Sequence, residues 1–307
     1  MITRESPAQA LAFSSAVHIK HLAPCKLVVP DRIDKADKVL LFIHGLEGGA
    51  STFSDVRQEC AKQGIATLTF DYPNDGPTKQ AAAALRHQLG ELSNQYPDLR
   101  LAVVAHSLGG LVAILAVSDP EFPPDLVTDV FTLGTPFQGS ALAEFQVELE
   151  LINVAWRLFA RDPGAIDIMK DGHGEAADDI RPDSQLLRQL QGQHLPTAIR
   201  FHVAAGSRSF LSDKEREMLR RELPREMKRL RISPDYRQKL ERFINADETR
   251  NGISDGAVTI ASATALHSPH CKKVFDATHL GLVCPKTSDK SGQVFKWIVQ
   301  EMNWYAH

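Results

Sequence analysis

Residues 101–117 read LAVVAHSLGGLVAILAV, and the middle of this stretch decides the fold. Leu101-Ala102-Val103-Val104 is a short apolar run, the pattern of a strand buried on both faces. Leu108 to Val117 predicts a helix. Between them lies Ala105-His106-Ser107-Leu108-Gly109-Gly110, with small residues two places before and two places after a serine. A strand that turns this sharply into a helix leaves no room for larger side chains at those two positions. The same turn lifts the serine hydroxyl to the carboxyl end of the sheet. The helix N-terminus offers the Leu108 N–H to a developing oxyanion. A serine that merely caps a helix beside chance glycines is the alternative. The strand–turn–helix setting favours a nucleophile, Ser107.

The same rhythm extends on both sides. Val39-Leu40-Leu41-Phe42-Ile43 ends at His44-Gly45, Ile65 to Phe70 ends at Asp71-Tyr72-Pro73, and Val130 to Leu133 ends at Gly134-Thr135-Pro136. Helices are predicted over Phe53 to Gln63 and Thr78 to Gln95. Apolar strands alternating with helices predict a mostly parallel, doubly wound α/β sheet. The rhythm then lapses from about Ser140 to Pro196 and returns as a strand over Ala198 to Ala205. A second lapse follows, dense in charge. Lys272 to Asp276 is read as the last strand and Gln293 to Met302 as a closing helix. The expectation is one domain over 1–307 with helical insertions at about 140–197 and 207–250. No internal repeat or low-complexity linker interrupts it.

In order and spacing these segments resemble the lipase branch of the α/β-hydrolase superfamily. Ile43-His44-Gly45-Leu46-Glu47-Gly48 resembles its His-Gly oxyanion loop. Ala105 to Gly110 resembles its nucleophile elbow, with Ala105 where Gly is commoner. Leu133-Gly134-Thr135-Pro136 resembles the segment after the next strand. The likeness covers roughly the first 140 residues and returns at Ser254-Asp255-Gly256-Ala257-Val258 and Thr278-His279-Leu280-Gly281; the insertions match nothing in it. It implies the α/β-hydrolase fold and the chain order Ser, acid, His. Asp255 is then the acid, in preference to Asp213 and Asp247 in the charged insertion. His279, after the last strand, is the base, in preference to His267 and His270 before it. The Leu46 N–H joins that of Leu108 in an oxyanion hole, and His44 and His106 brace loops. The activity implied is hydrolysis of small-molecule or lipid carboxylic esters through an acyl-enzyme. An acyltransferase or amidase on the same triad, or a non-catalytic membrane- or partner-binding protein of this fold, are the alternatives.

Phe145, Leu149, Ile152, Trp156 and Phe159 share a helical face, fitting either a lid over an acyl pocket or a helix packed on the sheet. Asp213 to Arg242 carries eleven Lys/Arg and seven Asp/Glu, with Leu219, Leu223, Met227 and Leu230 along one side. It is read as a solvated helical hairpin divided into short helices by Pro224 and Pro234. The other reading is a basic surface that lies on anionic membranes or meets a partner.

A hydrophobic fraction of 43% and a charged fraction of 24% set aside disordered and fibrous classes. A net charge of −3 gives no global pull toward nucleic acid. No run is apolar enough to span a bilayer, and the N-terminus reads poorly as a signal peptide, so a cytoplasmic location is expected. Cys25, Cys60, Cys271 and Cys284 form no CxxC pair and are expected as free, mostly buried thiols. His267, His270 and Cys271 have no second cluster nearby, so neither metal nor cofactor is expected.

Overall fold

A computed structural model describes residues 24–31, 33–46, 48–73, 76–144, 175–229, 233–283 and 292–302, the side chains of Glu144, Glu226 and Tyr236 excepted. Its centre is a seven-stranded sheet in the order β1-β3-β2-β4-β5-β6-β7. The strands are β1 (Lys26–Val28), β2 (Val39–Ile43), β3 (Ala66–Asp71), β4 (Leu101–His106), β5 (Val127–Leu133), β6 (Arg200–Gly206) and β7 (Cys271–Phe275). All pairs are parallel except β1 with β3. The doubly wound sheet expected from the sequence is therefore present. Strand β1 was not anticipated. Three residues are too few for a period to register, and β1 is held from outside: Gln88 accepts the Leu27 amide and donates to the Cys25 carbonyl.

Every residue of β2 and β4 is buried, because both faces are covered. Leu41, Ile43, Val103 and Ala105 point to one side, where α2 (Thr78–Gln95) and α3 (Leu108–Val117) pack with Leu85, Leu89, Leu111 and Val112. Leu40, Phe42, Ala102 and Val104 point to the other, against Phe53, Val56 and Cys60 at α1 (Ser54–Lys62) and Phe295, Trp297 and Ile298 of the closing helix, Gln293–Glu301. Burying each of these large side chains is worth about 1.5–3 kcal/mol. Helix α3 is apolar nearly all round because it lies between sheet, α2 and the loop after β5, so the serine that begins it stands on a rigid post.

The first insertion is described only at its ends, a single 3₁₀ turn at Ala141–Glu144 and helices α4 (Glu175–Asp179) and α5 (Gln185–Gln191). The apolar stripe from Phe145 to Phe159 lies outside the described residues. The second insertion is a hairpin of α6 (Asp213–Arg229) and α7 (Pro234–Asn245). Pro224 does not divide α6, contrary to the sequence reading. An interior proline costs about 3 kcal/mol. The offsetting term is burial of Leu219, Leu223 and Met227 against Leu240, Phe243 and Ile244. Pro234 opens α7, where its fixed φ suits the first helical turn. The hairpin is thus not merely solvated; it shares an apolar core with Leu142 and Leu211. Helix α8 (Ile260–Ala263) follows the Asp255 loop, and the closing helix is α9.

Among the described residues no helix is long and apolar enough to cross a membrane. Cys60 is buried and free, and burial pushes its thiol up to about 12; Cys25 and Cys271 are free and half-buried. Cys284 lies outside the described residues.

Candidate active site

Parallel strands carry their loops after β2, β4, β5, β6 and β7 to one edge, the carboxyl end of the sheet. Ser107 follows β4 there with φ 52° and ψ −126°, a left-handed conformation that side-chain-bearing residues rarely adopt. Its amide donates to the Leu133 carbonyl at 2.9 Å, and its carbonyl accepts the Gly110 amide at 3.0 Å. The small residues around it are required by contact. A Cβ on Gly45 would lie 2.7 Å from the Ser107 Cβ, one on Gly109 would overlap the His44 carbonyl, and one on Gly110 would overlap Thr135. The loops after β2 and β5 therefore close tightly on the elbow.

The loop after β2 holds its shape through His44. This buried ring stacks on Tyr72 at 4.5 Å, donates from Nδ1 to the Gly45 carbonyl at 3.0 Å and has Asp71 Oδ1 3.2 Å from Nε2. The Tyr72 hydroxyl donates to the His44 carbonyl at 2.9 Å. Burial, the largest influence, lowers the His44 pKa despite Asp71. A turn closed by Gly48 N–H to Gly45 O at 3.1 Å leaves the Leu46 amide out of its own hydrogen bond. Leu108 is the first residue of α3, where geometry provides no intrahelical acceptor. Glu47 lies outside the described residues.

Asp255 and His279 meet at the same edge. Asp255 is 1% exposed; its Oδ1 accepts the amides of Ala257 at 2.9 Å and Val258 at 2.8 Å. Its Oδ2 accepts from His279 Nδ1 at 2.8 Å, and the His279 amide donates to the Asp255 carbonyl at 2.8 Å. A carboxylate only accepts, so the proton sits on Nδ1 and the lone pair on Nε2. Gly134, next to the Leu133 carbonyl that anchors Ser107, has φ +61°, and a Cβ there would come within 2.9 Å of Asp255 Oδ2 and 3.0 Å of His279 Nδ1. On the other side of Ser107, the His106 ring lies 4.5 Å from that of His279 and its Nε2 donates to the His279 carbonyl at 3.1 Å. Burial, foremost, lowers the His106 pKa well below the ordinary histidine value, and the adjacent His279 ring acts in the same direction.

The rival residues lie elsewhere. His270 precedes β7 and donates its amide to Phe201 near the start of β6, which puts it at the amino end of the sheet, opposite the elbow. His267, just before it, is engaged by Ser268 at 2.8 Å. Asp247 pairs with Arg250 at 2.7 Å on the surface, and Asp213 begins α6. Sequence reasoning missed a second Asp–His pair, Asp129 and His202 at 2.8 Å. That pair is buried within β5 and β6, with His202 stacked on Phe131 at 4.2 Å and Arg200 on the same carboxylate at 2.9 Å. It also missed that Gly134 and Gly206 must be glycine for Asp255 and His279 to fit beside them. A Cβ on Gly206 would lie 2.7 Å from the Asp255 Cβ, and a glycine ending each strand before the site was the available signal. Among the described residues no three His, Cys, Asp or Glu side chains converge as metal ligands.

A sequence model described as the alpha/beta hydrolase family matches residues 40–283. The chain is similar in structure to the mature form of the lipase BlEst2 from Bacillus licheniformis, at TM-score 0.56 and 18% identity over 87% of this chain and 92% of that one. It is similar to the propeptide form of the same lipase at TM-score 0.58 and 19% identity, over 87% of this chain and 50% of that one. The metagenomic carboxyl esterase MGS0156 matches at TM-score 0.51 and 20% identity, over 85% of this chain and 71% of that one. At these identities the structural likeness speaks to the fold alone.

Proposed function

Because the chain belongs to the alpha/beta hydrolase family, we propose that it is a serine hydrolase that cleaves carboxylic esters, with Ser107, Asp255 and His279 as its triad. The observation that carries this reading is the Asp255–His279 pair at 2.8 Å, held at the sheet edge where the strained elbow presents Ser107. The choice of esters is further supported by the lipase and carboxyl esterase among similar structures.

In this mechanism His279 Nε2 removes the Ser107 proton as Oγ adds to the ester carbonyl. Asp255 keeps Nδ1 protonated and stabilises the imidazolium that forms. The tetrahedral oxyanion is met by the Leu46 and Leu108 amides, each such donor being worth about 10²–10³ in rate. Collapse expels the alcohol, which takes its proton from His279. Water then attacks the acyl-enzyme by the same route in reverse and frees the acid.

The test is hydrolysis of p-nitrophenyl esters of graded chain length. Wild type hydrolyses them, and Ser107→Ala and His279→Ala, folded by circular dichroism, lose on the order of 10⁴-fold or more. Asp255→Asn loses heavily too, and the three losses do not add because the residues act as one unit. Activity surviving in folded Ser107→Ala contradicts the reading. A silent His267→Ala or His270→Ala beside an active His279→Ala moves the base.

A further inference from the structure

Glu248 is a buried carboxylate for which the proposed mechanism has no use. It is 6% exposed, in the 3₁₀ turn Asp247–Thr249 that follows the helical hairpin. Its Oε1 accepts the Ala141 amide at 2.7 Å. Its carbonyl accepts the hydroxyl of Ser254, which itself accepts the Gly256 amide at 2.8 Å. Ser254 and Gly256 are the two neighbours of Asp255, and Ala141 belongs to the segment that leaves the loop after β5. Three further bonds join the same pair of segments: Ser140 Oγ to the Ala257 carbonyl at 2.6 Å, Ser262 Oγ to the Gly139 carbonyl at 2.8 Å, and the Gln138 amide to Ser262 Oγ at 3.0 Å.

We propose that Glu248 is a positioning residue that clamps the Asp255 turn to the segment Gly139–Ala141 and so holds Asp255, and through it His279, in register with Ser107. This inference rests on the triad reading above. Side chain and main chain of one residue reach the two segments at once, so Glu248 ties them together directly. The Ser140 and Ser262 hydroxyls reach only residues after Asp255, whereas Glu248 grips the turn on both sides of it through Ser254. A pivot of about 1 Å at a triad residue costs up to roughly 10²-fold in rate. The clamp also accounts for burying a carboxyl here. Burial, foremost, raises its pKa; Asp247 and Asp255 add to that and the Ala141 amide opposes it. In the clamp the carboxyl acts through one oxygen that accepts a hydrogen bond, a part that an uncharged amide oxygen can also fill.

That distinction sets the experiment. Glu248→Gln keeps an oxygen for the Ala141 amide without charge; Glu248→Ala removes the oxygen. Both are assayed on a short soluble p-nitrophenyl ester, with kcat normalised to sites titrated by a fluorophosphonate. The expected result is a kcat about tenfold lower for Glu248→Ala with KM within about twofold, and rescue by Glu248→Gln to within about twofold of wild type. A Glu248→Ala enzyme that loses thermal stability while kcat per titrated site is unchanged makes the role purely structural and overturns the proposal. So does a Glu248→Gln enzyme as impaired as Glu248→Ala. If Glu248→Ala does not fold, Glu248→Asp, which withdraws the carboxyl by one methylene, must show the lowered kcat. An active Ser107→Ala enzyme would sink the triad reading itself. A silent Ser107→Ala beside an unimpaired Glu248→Ala sinks only the clamp.

Discussion

Ser107 pays for its position in backbone strain. At φ 52° a serine sits about 1–3 kcal/mol above a relaxed conformation, a cost that glycine would not incur. Ser107→Gly is therefore expected to be inactive yet more stable than wild type by about 1 kcal/mol, seen as a higher Tm in calorimetry. A lower Tm would mean that the turn is not strained. At this scale much was legible in the sequence. Ser107, Asp255 and His279 stand out because each sits in a short motif after a strand, and motif and order are written in one dimension. Gly206 and Glu248 do not stand out, and Gly134 and His106, though inside motifs, do not show what they touch. Each acts through a contact more than 100 residues away or across a loop, and nothing local in their neighbours announces it.

Between β5 and β6 the buried Asp129 links two strands by accepting from His202 at 2.8 Å and from Arg200 at 2.9 Å. Burial alone would raise its pKa; His202, Arg200 and Thr128 together outweigh burial and hold it below the usual carboxylate value. Removing one member of such a network strands the others, so Asp129→Ala should lose about 3 kcal/mol in urea denaturation while the kcat of the folded enzyme is unchanged. A loss below about 1 kcal/mol would show that the network is replaceable. The α6–α7 hairpin is a different kind of element. It leaves the sheet after β6 and returns before Asp255, and a short polar turn in place of Asp213 to Arg242 is expected to preserve hydrolysis of short soluble esters. Its removal exposes Leu142 and Leu211 and deletes Arg216, which donates to Ile244 and Thr249, so a lower Tm should accompany that activity. A folded variant without soluble-ester activity would place the hairpin in the site. Of the elements, α2 and α3 were read from sequence to the residue, α2 because a long run carries its period and α3 because the serine elbow fixes where it begins. Strand β1 is too short for one, and the continuity of α6 through Pro224 depends on partners that a proline rule does not see.

The molecule as a whole keeps two histidines neutral beside the Ser107 elbow, and this ties its stability to pH. Burial lowers the pKa of His44 and of His106. In the unfolded chain both titrate near the ordinary value of about 6.5. Above that pH neither state binds the proton and the stability is fully present. As pH falls below it, the unfolded chain takes up protons that the folded one refuses, and stability is lost. Asp129, whose folded pKa is depressed, adds a loss in the same direction at lower pH, below the ordinary aspartate range. The Tm should thus fall between about pH 7.5 and 5.5, and His106→Gln should flatten that fall. A Tm that rises with acidification would reverse the assigned direction.

Fold, elbow and acid–base pair all converge on one atom, the Ser107 hydroxyl, and covalent labelling tests it most directly. The native protein is treated with a fluorophosphonate, digested, and the adduct located by mass spectrometry, with Ser107→Ala and His279→Ala alongside. One adduct per chain on the peptide carrying Ser107, absent from Ser107→Ala and slowed by orders of magnitude in His279→Ala, is the predicted result. An adduct on another serine, or no adduct on a protein that still hydrolyses esters, would contradict it.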